Sequence, residues 1–174
     1  MNVAITKSFS VPHPIDTVWE NITNPEKIVP CVPGASLSEM VDADNFKGDV
    51  ELKFGPVKSK FGGDISFLER NGETKTMKMR GMGTDVKGKG GAEMILDGVL
   101  TENNGATDVK VTMDVTVMGI LAQFGSRLAT DATSHIFDQF IKNFKDQLDG
   151  KEISASLSAG SMMGSMVKGL FGGK

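Results

Sequence analysis

The chain has few of the residues from which reactive or cross-linked sites are built. Its 174 residues include one cysteine, two histidines, one tryptophan and no tyrosine. The single cysteine, Cys31, cannot form an internal disulfide, which favours a reducing compartment. His13 and His135 have no cysteine or histidine at the spacing of a metal site. The sequence therefore predicts neither a disulfide framework nor a metal centre.

Strong charge imbalance and long apolar runs are also lacking. The 19 basic residues nearly balance 22 acidic ones, for a net charge of −3, so we expect no nucleic-acid partner. No run approaches the roughly 18 apolar residues that span a bilayer. Residues 1–20 lack the basic and then apolar segments of a signal peptide. The expected location is therefore the cytoplasm.

Period-two alternation of apolar and polar residues dominates the first two thirds of the chain. Residues 3–11 predict a strand, and residues 15–24 and the segment from Pro25 predict two short helices. About six antiparallel strands follow, up to residue 117. The turns between them are marked by Gly55-Pro56, Asn71-Gly72, a glycine-rich loop at 83–91 and Asn103-Asn104-Gly105. The pattern is typical of an α+β fold.

The segment 119–148 predicts one long helix whose two halves differ. Its first half mixes small residues with an apolar stripe, whereas its second half is loaded with phenylalanine and isoleucine. A seven-stranded antiparallel sheet curled around this helix would bury both apolar faces. The small residues leave room beneath the first half of the helix, so we expect an elongated apolar cavity there.

Alternate turns of an antiparallel meander lie at opposite ends of the sheet. The Gly55-Pro56 turn, the 83–91 loop and the start of the long helix are therefore expected at one end, where they form a mouth. Methionine, of which the chain has 11, suits adaptable apolar sites but is also an ordinary filler of cores. Which strand faces point inward is open, since a slip of one residue reverses them. The candidate ligand-binding residues are Phe54, Val57, Phe61, Met77, Met79, Met82, Met94, Met113, Leu121, Phe124 and Leu128.

The composition changes after residue 149, which divides the chain into a domain at 1–149 and a tail at 150–174. Glycine, serine, methionine and alanine dominate the tail, as in flexible linkers. A weak helical stripe of apolar residues also runs through it, so a short helix is the alternative. The residues expected to contact a membrane or partner are Met163, Met166, Val167, Leu170 and Phe171.

Three segments in order carry a family resemblance: IVPCVPGASLSE, FGPVKSKFGGDISFLE and MGILAQFGSRLATDATSHIFDQFIKNF. Together they resemble the family of the carbon monoxide dehydrogenase G subunit, part of the START/polyketide-cyclase-like superfamily with a helix-grip fold. The resemblance covers roughly residues 3–148. Relatives often have a second cysteine after the Pro-Gly pair, where this chain has Ala35, so cysteine-pair chemistry is not supported.

The resemblance implies an accessory protein that serves a molybdenum hydroxylase, such as carbon monoxide dehydrogenase, at the inner face of the cell membrane. Its fold implies an apolar pocket for a quinone, menaquinone or ubiquinone, or for a lipid. A quinone with an isoprenoid tail suits a long apolar slot with few polar contacts. The modest charge and hydrophobicity of the tail predict weak, reversible membrane binding.

Two other functions remain open at this point. A cyclase or hydrolase of the same superfamily would need acid and base groups in the pocket; Asp85, Glu93, Asp97, Asp114 and His135 are available, but no pair is positioned by the sequence. An adaptor or chaperone-like module would work through its surface and tail without a ligand.

Overall fold

The computed structural model describes residues 1–54 and 57–152, apart from the side chains of Phe54 and Val57. Their elements are β1 (Asn2–Val11), α1 (Ile15–Ile22), α2 (Pro25–Ile28), a 3₁₀ helix (Val29–Cys31), β2 (Ala35–Met40), β3 (Asn45–Phe54), β4 (Val57–Asn71), β5 (Thr76–Asp85), β6 (Gly90–Asn103), β7 (Ala106–Gly119), a second 3₁₀ helix (Ile120–Phe124) and α3 (Ser126–Leu148). Within these residues, no helix has the length and apolar character needed to cross a bilayer.

The strands of the described chain form one seven-stranded antiparallel sheet in the order β1-β7-β6-β5-β4-β3-β2. The predicted sheet, the two short helices after β1 and the long helix at the end are thus confirmed. Strand β2 lacked a clear pattern in the sequence. It lies at the sheet edge, where most of its residues are exposed and only alternate positions are half-buried.

The glycine-rich segment is more regular than predicted. Strand β5 continues to Asp85 and β6 begins at Gly90, so only residues 86–89 form the loop. The Asp85 carboxylate accepts hydrogen bonds from the backbone N–H groups of Lys87 (3.1 Å) and Lys89 (3.0 Å). These bonds close the turn and allow the flanking glycines to pair as strand residues.

The single helix expected at 119–148 is wrong. The 3₁₀ helix Ile120–Phe124 comes first, and α3 starts only at Ser126. Gly125 separates them with a φ of 89°, a conformation that L residues other than glycine rarely adopt. The backbone N–H of Leu121 donates to Lys89 O (3.2 Å), which fixes the 3₁₀ helix to the β5–β6 loop. The 23 residues of α3 span about 35 Å, not the 45 Å of an unbroken helix.

The predicted meeting of connections at one end is confirmed for the described residues. The backbone N–H of Val86 donates to Lys60 O (2.9 Å), so the β5–β6 loop lies beside the start of β4. The same loop holds the 3₁₀ helix after β7. The Gly55-Pro56 turn itself lies outside the described residues. We call this end of the sheet the mouth end, and the end that carries α1 and the last turn of α3 the far end.

The core consists of two separate hydrophobic clusters. The larger one joins the second half of α3 to α1, α2 and the far half of the sheet, with Phe137 and Phe144 at its centre. The smaller one, at the mouth end, contains Phe61, Leu121 and Ala129 with residues of β1 and β7. The two halves of α3 therefore pack differently, as their sequences predicted.

Hydrogen bonds fix the second half of α3 to the segment after α2. Asn143 is fully buried, and its Nδ2 donates to Cys31 O (2.9 Å). Gln139 Nε2 donates to Asn143 Oδ1 (3.1 Å), and Gln147 Nε2 donates to Lys27 O (2.8 Å). Buried polar groups that are bonded in this way make a contact specific. The far end is thus the rigid end of the helix.

The thiol of Cys31 is expected to be unreactive in the folded protein. It is completely buried, its Sγ–H donates to Lys27 O (3.4 Å), and burial raises its pKa from 9.0 to about 11. At pH 8 the raised pKa lowers the thiolate fraction about 100-fold, so labelling by a thiol reagent should slow at least that much relative to protein in denaturant. Comparable labelling rates in the folded and denatured protein would contradict this burial.

The same pKa shift makes a statement about stability. Folding favours the neutral thiol, so the stabilisation that follows is fully present below about pH 9 and is lost as pH rises towards 11. Melting temperatures measured between pH 8 and 11 should fall less in a Cys31→Ala variant than in the unmodified chain.

Candidate functional site

The concave face of the sheet and α3 enclose a cleft between the two hydrophobic clusters. Strand register decides which residues face it. Phe67 pairs with Met79, Ile65 with Gly81, and Gly81 with Met94, so these residues share the face that carries the buried core. Their strand neighbours, such as Arg80 and Met82, lie on the convex face.

A row of glycines runs across the concave face near the mouth end. Gly48 on β3 pairs with Gly63 on β4, Gly63 pairs with Gly83 on β5, and Gly83 pairs with Ala92 on β6. We call Gly48, Gly63 and Gly83 the glycine row. Three neighbouring strands therefore present no side chain to the cleft at this level. The floor of the cleft is bare backbone.

The members of the glycine row serve different purposes. A Cβ at Gly63 would overlap the backbone oxygen of Met82, so Gly63 permits a close approach of two strands. A Cβ at Gly83 would meet Phe61 Cβ at 3.5 Å and Gly62 O at 3.7 Å, and no atom of α3 is among its described neighbours within 4 Å. Open space therefore lies above Gly83.

The helix reaches the sheet mainly at its edges. Among the described elements, α3 comes closest to β1, with further approaches to β3 and the two 3₁₀ helices; the central strands do not approach it to that extent. Four apolar residues at the centre of the concave face are consequently only half-buried: Met94, Leu96, Met113 and Val115. On α3, half-buried Thr133 lies one turn from Ala129 of one cluster and one turn from Phe137 of the other.

A buried hydroxyl stands near the mouth end of the cleft. Ser59 pairs with Leu52 on β3 and lies two residues before Phe61, so its side chain is on the concave face. Its residue is only 3% exposed, and its Oγ has no hydrogen-bond partner. A buried hydroxyl without a partner is unfavourable by about 1–3 kcal/mol. A ligand group that bonds it would relieve that penalty.

Apolar side chains surround the mouth end on the outside. Val86 on the β5–β6 loop is 61% exposed, and Ile120 on the 3₁₀ helix is 55% exposed. Met118 and Phe124 are exposed on either side of Ile120 along the chain. We call these four residues the rim. Exposed apolar residues that gather at one place mark an interaction surface more often than scattered ones do.

The structure places the sequence-predicted ligand residues in three groups. Phe61, Met77 and Met79 are buried in the core, and Leu121 belongs to the smaller cluster. Met94, Met113 and Leu128 are half-buried, the two methionines on the concave face. Phe54 and Val57 pair with each other at the mouth end, but their side chains lie outside the described residues, as do Met163, Met166, Val167, Leu170 and Phe171 of the tail.

Two of these residues do not lie where the sequence analysis put them. Met82 pairs with Asp64 and Glu93 on the convex face and is 45% exposed, so its expected place in the cleft is wrong. The reason is parity, because Met82 is an odd number of residues from Met77 and Met79. Phe124 is 38% exposed and belongs to the rim, since the break at Gly125 separates it from α3.

The predicted enclosed cavity stays a prediction. Two open depressions are found in the described structure, and both lie elsewhere. One of about 560 Å³ lies at the far end, beside Trp19 and Arg70. The other, of about 400 Å³, lies over β1, β6 and β7 around Ser8 and Lys110.

The possible acid and base groups are dispersed. Asp85 binds its own loop, Glu93 accepts from Arg80 Nη2 (2.6 Å), and Asp97 lies 3.8 Å from Lys78 Nζ. Asp114 and His135 are exposed. Within the described ranges, these five groups form no pair inside the cleft, and no cluster of His, Cys, Asp and Glu is suited to a metal ion. His13 instead bonds Asp149 (2.8 Å) at the far end.

The sequence analysis missed the glycine row and Ser59. Both carry a signal in the strand pattern. Gly48, Gly63 and Ser59 lie two residues from an inward phenylalanine, and Gly83 lies four residues from Met79. Glycine at the inward phase of a strand therefore indicated a bare floor, but only once the parity of each strand was known.

Comparison with known proteins supplies a family. The family model for the G subunit of carbon monoxide dehydrogenase (CoxG) matches residues 8–149. No curated protein matches the chain. A conserved protein from Geobacillus kaustophilus has a similar structure, with a TM-score of 0.76 and 22% identity over 86% of this chain and 96% of its own.

Two enzymes also have similar structures. The Zhui aromatase/cyclase from Streptomyces sp. R1128 has a TM-score of 0.60 and 10% identity over 86% of this chain and 94% of its own. Truncated norcoclaurine synthase from Thalictrum flavum has a TM-score of 0.60 and 13% identity over 87% of this chain and 96% of its own. At these identities the likeness concerns the helix-grip fold alone.

Proposed function

We propose, from the premise that this chain belongs to the CoxG family of carbon monoxide dehydrogenase, that it is a non-enzymatic carrier of an apolar ligand. The ligand lies in the cleft between α3 and the concave face. The protein delivers it between the cytoplasmic face of the membrane and a molybdenum hydroxylase of the carbon monoxide dehydrogenase type.

The observation that carries this proposal is the bare floor of the cleft. Gly83 has open space above it, and the two hydrophobic clusters do not merge across the sheet. Natural cores are packed to high density, so a stretch of strand without side chains beneath a helix requires another occupant or solvent. The half-buried Met94 and Met113 provide adaptable apolar walls for such an occupant.

The ligand class follows from the polarity of the cleft. Its described walls are apolar apart from Thr133, whose hydroxyl already donates to Ala129 O (2.7 Å), and Ser59, whose hydroxyl has no partner. An apolar tail with one hydrogen-bonding headgroup fits this arrangement. A prenylated quinone, menaquinone or ubiquinone, or a lipid, has that chemistry.

Family membership supports the choice of partner. The family takes its name from a component of carbon monoxide dehydrogenase, and we extend this to service of a hydroxylase of that type. A cyclase or hydrolase reaction needs an acid and a base together in the cleft, whereas Glu93 and Asp97 pair with Arg80 and Lys78 outside it. An adaptor without a ligand is the alternative, and the binding experiment separates the two.

The direct test is binding of decylubiquinone to the purified full chain by equilibrium dialysis. A carrier should bind about one molecule per chain. It should bind an unsubstituted benzoquinone, which lacks the tail, far more weakly, because the apolar tail supplies most of the buried area. Failure to bind decylubiquinone or an extracted membrane lipid would favour the adaptor.

The Ser59→Ala variant tests the polar contact. We expect its affinity for decylubiquinone to fall about fivefold to tenfold, the worth of one hydrogen bond, while binding of decylbenzene, which lacks carbonyl groups, stays unchanged. The unliganded variant should be at least as stable as the parent chain, because a buried hydroxyl without a partner is removed. A parallel loss for both probes would show that Ser59 shapes the wall and does not bond the headgroup.

A further inference from the structure

We infer that the mouth end is a docking surface for an anionic lipid bilayer. This inference rests on the proposed function, since it assigns the place where the carried ligand enters and leaves. It differs from the expectation that the tail alone makes membrane contact. Its grounds are the arrangement of charge along the molecule and the apolar rim.

Basic side chains gather at the mouth end. They come from the ends of β3 and β4, from the β5–β6 loop and from the first turn of α3: Lys53, Lys58, Lys60, Lys87, Lys89 and Arg127. All are exposed except Lys89, which is half-buried. The N-terminal ammonium group of Met1 lies at the same end, where it donates to Val117 O (3.1 Å).

Few acidic groups oppose them there. Glu51 lies 3.6 Å from Lys58 Nζ, and Asp85 is buried and bonded to its own loop. Asp131 is exposed one turn beyond Arg127 on α3. The described mouth end therefore carries a clear positive excess.

The far end has the opposite character. Its exposed acidic residues come from α1, α2, three turns of the sheet and the end of α3: Asp16, Glu20, Glu26, Asp42, Asp44, Glu69, Glu73, Glu102 and Asp149. Its bases are partly engaged, since Arg70 pairs with Asp44 (2.8 Å) and Lys75 with Asp16 (3.2 Å). The net charge of −3 thus conceals a strong separation of charge.

This separation orients the molecule at an anionic surface. The basic end is attracted and the acidic end is repelled, so the mouth turns towards the bilayer. The rim then places Val86, Ile120 and Phe124 against the headgroup region, where apolar side chains flanked by lysines are favoured. A ligand passing through the mouth would move from lipid to cleft with little exposure to water.

The far end cannot make this contact in the same orientation. The chain leaves α3 at the far end, where Asp149 bonds His13. A contact made by the 22 residues after Glu152 and a contact made by the rim are therefore separable, and the rim can be tested in the full chain with its tail retained.

The experiment is sedimentation of the full chain with vesicles of phosphatidylcholine, with or without about one-third phosphatidylglycerol. Each basic residue near an anionic surface raises partitioning about fivefold, so Lys87→Glu with Lys89→Glu should lower it at least about 30-fold on the anionic vesicles. The matched control is Lys47→Glu with Lys110→Glu, which changes net charge equally on the convex face and should stay within about twofold.

A second pair of variants tests the rim. Ile120→Ser should weaken binding to the anionic vesicles severalfold, whereas Leu68→Ser, at an equally exposed site (55% for both) away from the mouth, should not. Equal losses in the two charge variants, equal losses in the two serine variants, or equal binding to neutral and anionic vesicles would overturn the inference.

Ligand binding in vesicle-free buffer separates this inference from the proposed function. Docking variants that keep their affinity for decylubiquinone and lose vesicle binding support both proposals. A parent chain that binds anionic vesicles through the rim but takes up no decylubiquinone would contradict the carrier function and leave the docking surface standing.

Discussion

Gly83→Leu is expected to abolish ligand retention while the protein stays folded. The new Cβ has ordinary van der Waals contacts, with Phe61 Cβ at 3.5 Å as its nearest described neighbour, and the rest of the side chain enters the cleft. Overlap with a bound ligand costs about 1–3 kcal/mol, so affinity for decylubiquinone should fall about 10–100-fold by equilibrium dialysis.

Thr84→Leu is the matched control for this variant. Thr84 is the next residue of β5, and its side chain is exposed on the convex face. The same leucine side chain is thus placed one residue away, outside the cleft. If Gly83→Leu is folded, as judged by circular dichroism and melting temperature, and still binds like Thr84→Leu, the ligand does not lie over the glycine row.

Phe144→Ala is expected to be among the most destabilising single substitutions in the chain. Phe144 is completely buried, stacks on Phe140 with ring centroids 5.8 Å apart, and meets the edge of Phe9 at 6.3 Å. Truncation of a buried phenylalanine costs about 3–5 kcal/mol, which should lower the melting temperature by about 6–20 °C in a chain of this size.

Leu128→Ala provides the comparison within the same helix. Leu128 is half-buried beside the cleft, so less packing is lost and the expected destabilisation is about 1 kcal/mol. Ligand affinity should respond in the opposite order, with a larger loss for Leu128→Ala. If both substitutions destabilise equally, the first half of α3 is packed as core and the division of the helix fails.

The fold was predictable because its signals are local. Alternation marks each strand from β3 to β7, and turn residues separate them. The break before α3 was not predictable from periodicity, because Leu121 and Phe124 fit the helical stripe of the residues that follow. Gly125 interrupts the helix through a backbone conformation that only the packed structure reveals.

The candidate site was less accessible to sequence reasoning. Abundant methionine drew attention to Met77, Met79 and Met82, of which the first two are core and the third lies on the convex face. The bare floor depends on the three glycines of the row being level with one another, and cross-strand register is a tertiary property. Average composition likewise concealed the separation of charge between the two ends.

The central claim, that the cleft carries an apolar ligand, is tested most directly by what the native protein holds. The full chain should be purified without detergent from cells grown with the partner hydroxylase, extracted with organic solvent and analysed by mass spectrometry beside the Gly83→Leu variant. We expect about one prenylated quinone or lipid per chain in the parent protein and almost none in the variant. Equal amounts in both, or no apolar molecule in a folded parent chain that also fails to take up decylubiquinone, would contradict the account.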